Sequence, residues 1–262
     1  MRRALPALLA LALLAPLPAM AGAPLLPDLR TVVPQHLNLV NEHQREILRF
    51  SNGIANTGPG DWRLRPEFPL ADPSQAQLAI QELLDADRHV VSEQVVSQFE
   101  FHPAHNHWHI HGVALFEVRA ALDDGTGGAF GDVVVNDRGA AQSLKTTFCL
   151  IDWYKLEGPS KTKDRIYFEC NGAYQGIQAG WADQYHQATP GQELDLTGAP
   201  AGAYYLLSTA NHEASFVEND LANNAAWVGF QLTRDSEGNA KVKILGHSPC
   251  AGALCGEDAP NR

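Results

Sequence analysis

Apolar and polar residues alternate along most of the chain in short segments, which Gly, Asn, Asp and Pro separate. Such alternation is typical of β-strands with one buried face, because successive side chains of a strand point to opposite faces. The segments with this pattern are PDLRTVVPQHLNL, EILRFSNGIANTGPGDWRL, GVALFEVRAAL, DVVVND, AYYLLSTAN, AAWVGFQLTRD and KVKILG. The pattern predicts that strands open the fold and continue to its end.

Residues 74–100 allow two interpretations. Their first part could begin as a helix, but four valines at 90, 91, 95 and 96 favour strand, and DADR at 85–88 suits a turn. We therefore predict a hairpin here. Because no long amphipathic helix accompanies these short strands, the sequence predicts an all-β fold, an antiparallel sandwich or barrel with long loops and few short helices.

The N-terminus reads MRRALPALLALALLAPLPAMAGA, with two arginines, an apolar run and small residues before Gly22. This pattern is typical of a secretory signal peptide, which we predict at residues 1–21. The alternative is a retained anchor, but the apolar run is shorter than the ~20 residues of a membrane span. The rest, residues 22–262, has no repeat or linker and is predicted to be one domain of a secreted or periplasmic protein.

Charge and cysteine content narrow the possible partners and the compartment. The formal net charge is −11, or −13 without the two leader arginines, which disfavours nucleic acid and anionic membranes and favours cationic amines. An oxidising compartment allows disulfides. Proximity in sequence favours Cys149 with Cys170 and Cys250 with Cys255, whereas copper thiolates are the rival interpretation.

Five of the 11 histidines lie between residues 102 and 111, in HPAHNHWHIH. Four of them occupy every second position: His105, His107, His109 and His111. If this segment is extended, their side chains point to one face and can converge on one ion. Three imidazoles with open positions describe a catalytic site for copper, zinc or iron. The alternatives are a surface tract that scavenges metal and a purely structural role.

Four segments in consistent order resemble the lysyl oxidase family: FHPAHNHWH at the histidines, LKTTFCLID at 144–152, GWADQYH at 180–186 and FVENDLANNAA at 216–226. The resemblance runs from about residue 27 to 232. It implies a secreted copper amine oxidase, with His105, His107 and His109 as copper ligands and His102 beside them or on the substrate side. His111 departs from the family pattern.

The same resemblance implies a cofactor built from the protein's own side chains, a lysine tyrosylquinone that joins Lys145 and Tyr185. Such an enzyme converts peptidyl lysine or another primary amine, with dioxygen, to an aldehyde, ammonia and hydrogen peroxide. Asp183 lies two residues before Tyr185 and would point to the same side of an extended segment. It is our candidate for the general base.

A second cation site is predicted from oxygen-bearing side chains, which suit calcium. By resemblance to related enzymes, the N-terminal Asp-Leu pair contributes as well. The candidate residues are Asp28, Leu29, Glu218, Asp220, Asn223 and Asn224. The alternative interpretation of the later stretch is a polar turn.

Two other functions compete with an amine oxidase. A noncatalytic exported copper-binding protein would keep the histidines but would not join Lys145 to Tyr185. A β-fold iron oxygenase would use the histidines for a different metal. The sequence leaves the amine substrate open among peptidyl lysine, free lysine and small diamines.

Overall fold

The computed structural model describes residues 22–136, 139–141, 146–156 and 164–256. Within these ranges the fold is built from antiparallel strands and one 3-10 helix at Gly252–Cys255. The strands are β1 (Leu29–Thr31), β2 (Gln35–Glu42), β3 (Arg45–Asn56), β4 (Trp62–Pro66), β5 (Gln77–Leu84), β6 (Val90–His102), β7 (His107–Ile110), β8 (Ala114–Ala121), β9 (Phe130–Val133), β10 (Val135–Asn136), β11 (Gly139–Ala140), β12 (Tyr154–Lys155), β13 (Gln175–Ile177), β14 (Trp181–Tyr185), β15 (Glu193–Asp195), β16 (Gly202–Ala210), β17 (Ala225–Arg234) and β18 (Ala240–His247).

The strands form three larger sheets and the small hairpin β10–β11. One sheet has the order β1-β3-β14-β12, and β2 and β15 also pair with the long strand β3. A second has the order β13-β4-β5-β6-β7, and a third the order β18-β17-β16-β8-β9. The predicted all-β antiparallel architecture is confirmed.

The hairpin predicted in residues 74–100 is present as β5 and β6, with the turn between them at 85–89. Each of the other predicted segments also contains strand. The alternation is clearest in β4 and β8, where buried residues are interleaved with partly exposed ones. β-branched side chains outweigh any helical tendency in β6, because they pack well on a pleated surface.

One large apolar core holds the sheets together. Aromatic side chains meet edge to face within it, as in the pairs Phe50–Phe116 and Trp62–Phe216, whose ring centres are 4.9 Å apart. Buried aromatic pairs of this kind add about 0.5–1.5 kcal/mol beyond the area they bury. A smaller cluster that includes Val32, Ala55 and Ala182 lies on the other face of β3 and β14.

Both predicted disulfides are confirmed, Cys149–Cys170 and Cys250–Cys255. The first lies beside a buried carboxylate that organises the same region. Asp152 accepts hydrogen bonds from the backbone N–H groups of Ile166, Tyr167 and Gln178, at 2.8 to 2.9 Å. Burial raises the pKa of Asp152, although these donors oppose the rise. The final Asp of the LKTTFCLID motif therefore holds loops together.

The predicted signal peptide, residues 1–21, lies outside the described residues. Among the residues that the structure describes, no helix is long and apolar enough to cross a membrane.

Candidate metal and tyrosine site

The histidine run folds as a tight turn between β6 and β7. The backbone N–H groups of His105 and Asn106 both donate to the carbonyl of His102, at 3.0 and 2.9 Å. Asn106 adopts φ +55, a left-handed conformation that Asn tolerates better than most residues. Residues 103–106 are therefore a turn and not an extended strand, which differs from the expectation for residues 105–111.

β7, the strand that follows the turn, directs its histidines to one face and its apolar residues to the other. Trp108 and Ile110 lie opposite Phe101 and Phe99 of β6 and are buried in the core. His107 and His109 point to the other face, which they share with His102. His105 reaches the same place from the turn. His111 lies beyond the end of β7 and pairs with the Glu100 carboxylate instead.

Three imidazoles converge at this face. The Nδ1 atom of His105 and the Nε2 atom of His107 lie 3.2 and 3.0 Å from the Nε2 atom of His109. All three offer a ligand atom within 4.8 Å of the others. Two nitrogens that are each about 2.0 Å from one ion are roughly 3 Å apart. The spacing of the three nitrogens therefore fits a shared metal ion.

A hydrogen bond selects which nitrogen of His109 is available to a metal. The Nδ1 atom of His109 lies 3.1 Å from the Thr147 hydroxyl, and the ring is almost completely buried. With the proton on Nδ1, this nitrogen donates to Thr147 and leaves the lone pair of Nε2 facing the other two imidazoles. In this tautomer Thr147 would orient the ring for coordination.

His102 lies against the group and is not one of the three converging histidines. Its ring stacks on that of His109 at 4.8 Å and lies 4.4 Å from that of His105. These contacts agree with the predicted position beside the ligands, and its role stays a prediction.

The segment that carries Thr147 also reaches Tyr185. Phe148 pairs with Ile110 of β7 through two backbone hydrogen bonds of 2.7 and 3.0 Å. The ring of Phe148 packs edge to face against the ring of Tyr185, with centres 4.9 Å apart. The Tyr185 hydroxyl donates to the carbonyl of Cys149. Three consecutive residues therefore link the histidine cluster to the tyrosine.

Tyr185 ends strand β14, whose neighbour is β3. Burial raises the pKa of Tyr185 well above its ordinary value, and the negative charge of Asp183 adds to the rise. Asp183 lies on the same face of β14 and is also buried. The extended segment assumed for these two residues is therefore present. Lys145 lies outside the described residues, directly before Thr146.

A model of the family described as Lysyl oxidase matches residues 79–240 of the chain. This match covers more than half of the sequence and includes the histidines, Thr147 and Tyr185. The chain belongs to the lysyl oxidase family. No curated protein matches it. Lysyl oxidases are copper-dependent, and the three converging imidazoles suit that metal.

The fold also brings most of the predicted calcium residues together. One oxygen of Glu218 accepts the N–H of Leu29 at 2.8 Å, and the other accepts the amide of Asn224 at 2.7 Å. The amide of Asn223 contacts the Asp28 carboxylate at 3.2 and 3.3 Å. Burial raises the pKa of Glu218, and the charge of Asp28 contributes to the rise.

Two features decide whether a cation fits this cluster. The side-chain oxygens of Asn223 and Asn224 are buried and accept no hydrogen bond from any residue that the structure describes. Two carboxylates and two such oxygens are a hard donor set, which suits calcium. Asp220, in contrast, is exposed and its carboxylate accepts the N–H of Ala222 in a turn.

Sequence reasoning missed two residues that contact or face the site. Thr147 stands in the LKTTFCLID motif, but only the packing of Phe148 on β7 shows which histidine it meets. Asn52 is the residue of β3 that lies opposite Tyr185 of β14, and it is almost completely buried. No local pattern in the sequence identifies Asn52, because Tyr185 lies 133 positions away in the chain.

We expect Thr147→Val to weaken copper binding about 10- to 100-fold, because partners that orient a metal-bound histidine have effects of this size. Titration against a chelator of known copper affinity measures the change. Thr146→Val is the matched control, since no hydrogen bond joins Thr146 to His109 in the described residues. Equal copper affinity in wild type and Thr147→Val would show that Thr147 does not orient His109.

Proposed function

We propose that the protein is a secreted copper-dependent amine oxidase whose quinone cofactor forms from Lys145 and Tyr185. It would convert a primary amine, dioxygen and water to an aldehyde, ammonia and hydrogen peroxide. The observation that carries the proposal is the link from His109 through Thr147, Phe148 and Cys149 to Tyr185. These contacts connect a phenol to a three-histidine cluster through three consecutive residues, which supports the proposal.

The donor set supports copper as the metal. His105, His107 and His109 would bind it through the three converging nitrogens, and they leave coordination positions open. Copper supplies the redox chemistry with dioxygen that oxidation of a phenol needs. The chain's own part is to bury the phenol: Phe148 packs on its ring and the Cys149 carbonyl orients its hydroxyl.

Asp183 is the proposed general base, which would take a proton from the substrate carbon next to nitrogen. It is buried and shares a face of β14 with Tyr185. Its Oδ1 atom accepts the N–H of Gln184 at 2.8 Å, which fixes the direction of the carboxylate. A buried base of fixed direction is suited to proton abstraction at a single position.

The cluster around Glu218 is proposed to bind calcium through Asp28, Glu218, Asn223 and Asn224. Leu29 contributes its N–H to Glu218 in the structure, and its carbonyl remains the predicted further ligand. The site would join the N-terminal strand to the loop before β17. A divalent cation would offset the cost of burying two carboxylates close together.

Replacement of Tyr185 by Phe is expected to abolish amine-dependent peroxide release and to leave copper binding unchanged. The phenyl ring keeps the packing on Phe148 but lacks the oxygen from which a quinone forms. Mass spectrometry of the wild type, loaded with copper in air, should find a covalent link between the peptides that carry Lys145 and Tyr185. Tyr174→Phe, at an exposed tyrosine, is the control.

Two outcomes would favour other functions. Copper binding without the covalent link and without peroxide would indicate a noncatalytic copper-binding protein. Substrate oxidation that depends on iron and survives Tyr185→Phe would indicate an iron oxygenase.

Asp183→Asn is expected to lower kcat by about 100-fold or more, because a general base contributes 10²- to 10⁴-fold. The Lys145–Tyr185 link should still form, which separates a defect in turnover from a defect in the cofactor. Asp132→Asn, an exposed site with the same charge change, is the control. An unchanged kcat in Asp183→Asn would assign the base to another residue.

Calcium should raise the midpoint of thermal unfolding, since a ligand at 100 times its Kd stabilises a protein by about 2.7 kcal/mol. Asp28→Asn should remove most of this increase, whereas Asp220→Asn should keep it, because Asp220 lies in an exposed turn. Unfolding curves with calcium and with a chelator measure the difference. If calcium does not change the unfolding midpoint of the wild type, the stretch is a polar turn and not a calcium site.

A further inference from the structure

In the part of the chain that the structure describes, strand β6 has a long outer edge without a partner strand. β5 pairs with β6 along Val90–Phe99, but on the other side β7 pairs only with Phe99–His102. Among the described residues, no strand pairs with the outer edge of residues 90–97. A row of unpaired backbone groups is a template on which another extended chain can add as a strand.

The register shows which backbone groups face outward. Ser97 pairs with Ala79 of β5. The residue before Ala79 is Leu78, whose carbonyl accepts the N–H of Glu67, directly after β4, so Ala79 bonds on the side of β6. Hydrogen-bonding groups alternate between the two sides of an antiparallel strand. Gln98 therefore faces outward, and its carbonyl accepts the N–H of His111 at 3.1 Å. Beyond the irregularity at Val96, the same alternation turns the N–H of Val95 outward.

This free edge leads into a groove of about 330 Å³. Val96, Ser97 and Gln98 of β6 line this groove, together with Thr146 and Glu213. Thr146 follows Lys145 in the chain and precedes Thr147, the partner of His109. A chain bound along the edge would thus arrive at the segment that joins both halves of the site.

The side chains along this path favour a cationic polypeptide. Val90 and Val95 are 44% and 60% exposed, which offers apolar contact to the side chains of an added strand. Glu100 and Glu213 have exposed carboxylates near the groove, and the chain as a whole carries a net charge of −11. The unpaired edge can form hydrogen bonds with an extended backbone, and the carboxylates can attract lysine side chains.

We propose that the outer edge of β6 binds the substrate as an extended polypeptide, by strand addition, and delivers its lysine along the groove. The inference rests on the proposed amine oxidase function, and it concerns the surface that holds an extended chain and not the identity of the oxidised amine. Backbone hydrogen bonds along Val90–Ser97 supply affinity that a small amine lacks.

The test uses ten-residue peptides in which norleucine replaces a central lysine, so that binding is measured without turnover. N-methylation of alternate residues removes the N–H groups of one edge of the peptide at a time. We expect one methylated set to weaken binding to the copper-loaded protein at least tenfold and the other set to have little effect. Equal effects of both sets, or no effect, would overturn strand addition.

Two variants of one residue test the edge from the protein side. Val95→Pro removes an outward N–H that β5 does not use, whereas Val95→Thr keeps it in a β-branched residue. The norleucine peptide should bind at least tenfold more weakly to Val95→Pro than to Val95→Thr. Circular dichroism verifies that both variants keep the fold. Equal binding would contradict the proposal.

Two further results separate this inference from its alternatives. A dimer that sediments as one species, and that the peptide does not dissociate, would show that a second copy occupies the edge. A wild type that releases no peroxide from lysine peptides or from butylamine would refute the amine oxidase function. In that case the pattern of N-methylation would still decide whether the edge binds an extended chain.

Discussion

The pairing of Phe148 with Ile110 is the contact on which the site depends. It places Thr147 against His109 and sets the ring of Phe148 and the carbonyl of Cys149 around Tyr185. The Cys149–Cys170 disulfide continues the same segment and ties it to a loop that Asp152 also holds. A histidine cluster on one sheet and a tyrosine on another are linked by three consecutive residues, Thr147, Phe148 and Cys149.

Burial and a neighbouring charge both act on the tyrosine. Asp183 is buried and Tyr185 is partly buried, so burial disfavours the charged form of the phenol and the nearby carboxylate disfavours it further. The phenol is held by the hydrogen bond from its hydroxyl to the Cys149 carbonyl and by the ring of Phe148. The contacts of the phenol are the reason why we propose chemistry at the tyrosine and not only metal binding at the histidines.

A second constraint holds the beginning of the fold to its end. Glu218 accepts the N–H of Leu29 and the amides of Asn211 and Asn224. These bonds join β1 to the loop between β16 and β17, which lies far from it in sequence. Two carboxylates in one partly buried cluster cost solvation energy, and a bound cation is the means by which proteins commonly offset that cost.

The sequence by itself determined the all-β class, the hairpin of β5 and β6, both disulfide pairs and the histidine cluster, because local alternation and motif spacing carry that information. Only the tertiary structure decided that His105 reaches the cluster from a turn, that His111 turns to Glu100, and that Thr147 and Asn52 meet the site. These contacts join residues that lie up to 133 positions apart, and pairing between distant strands leaves no periodic signal in either strand.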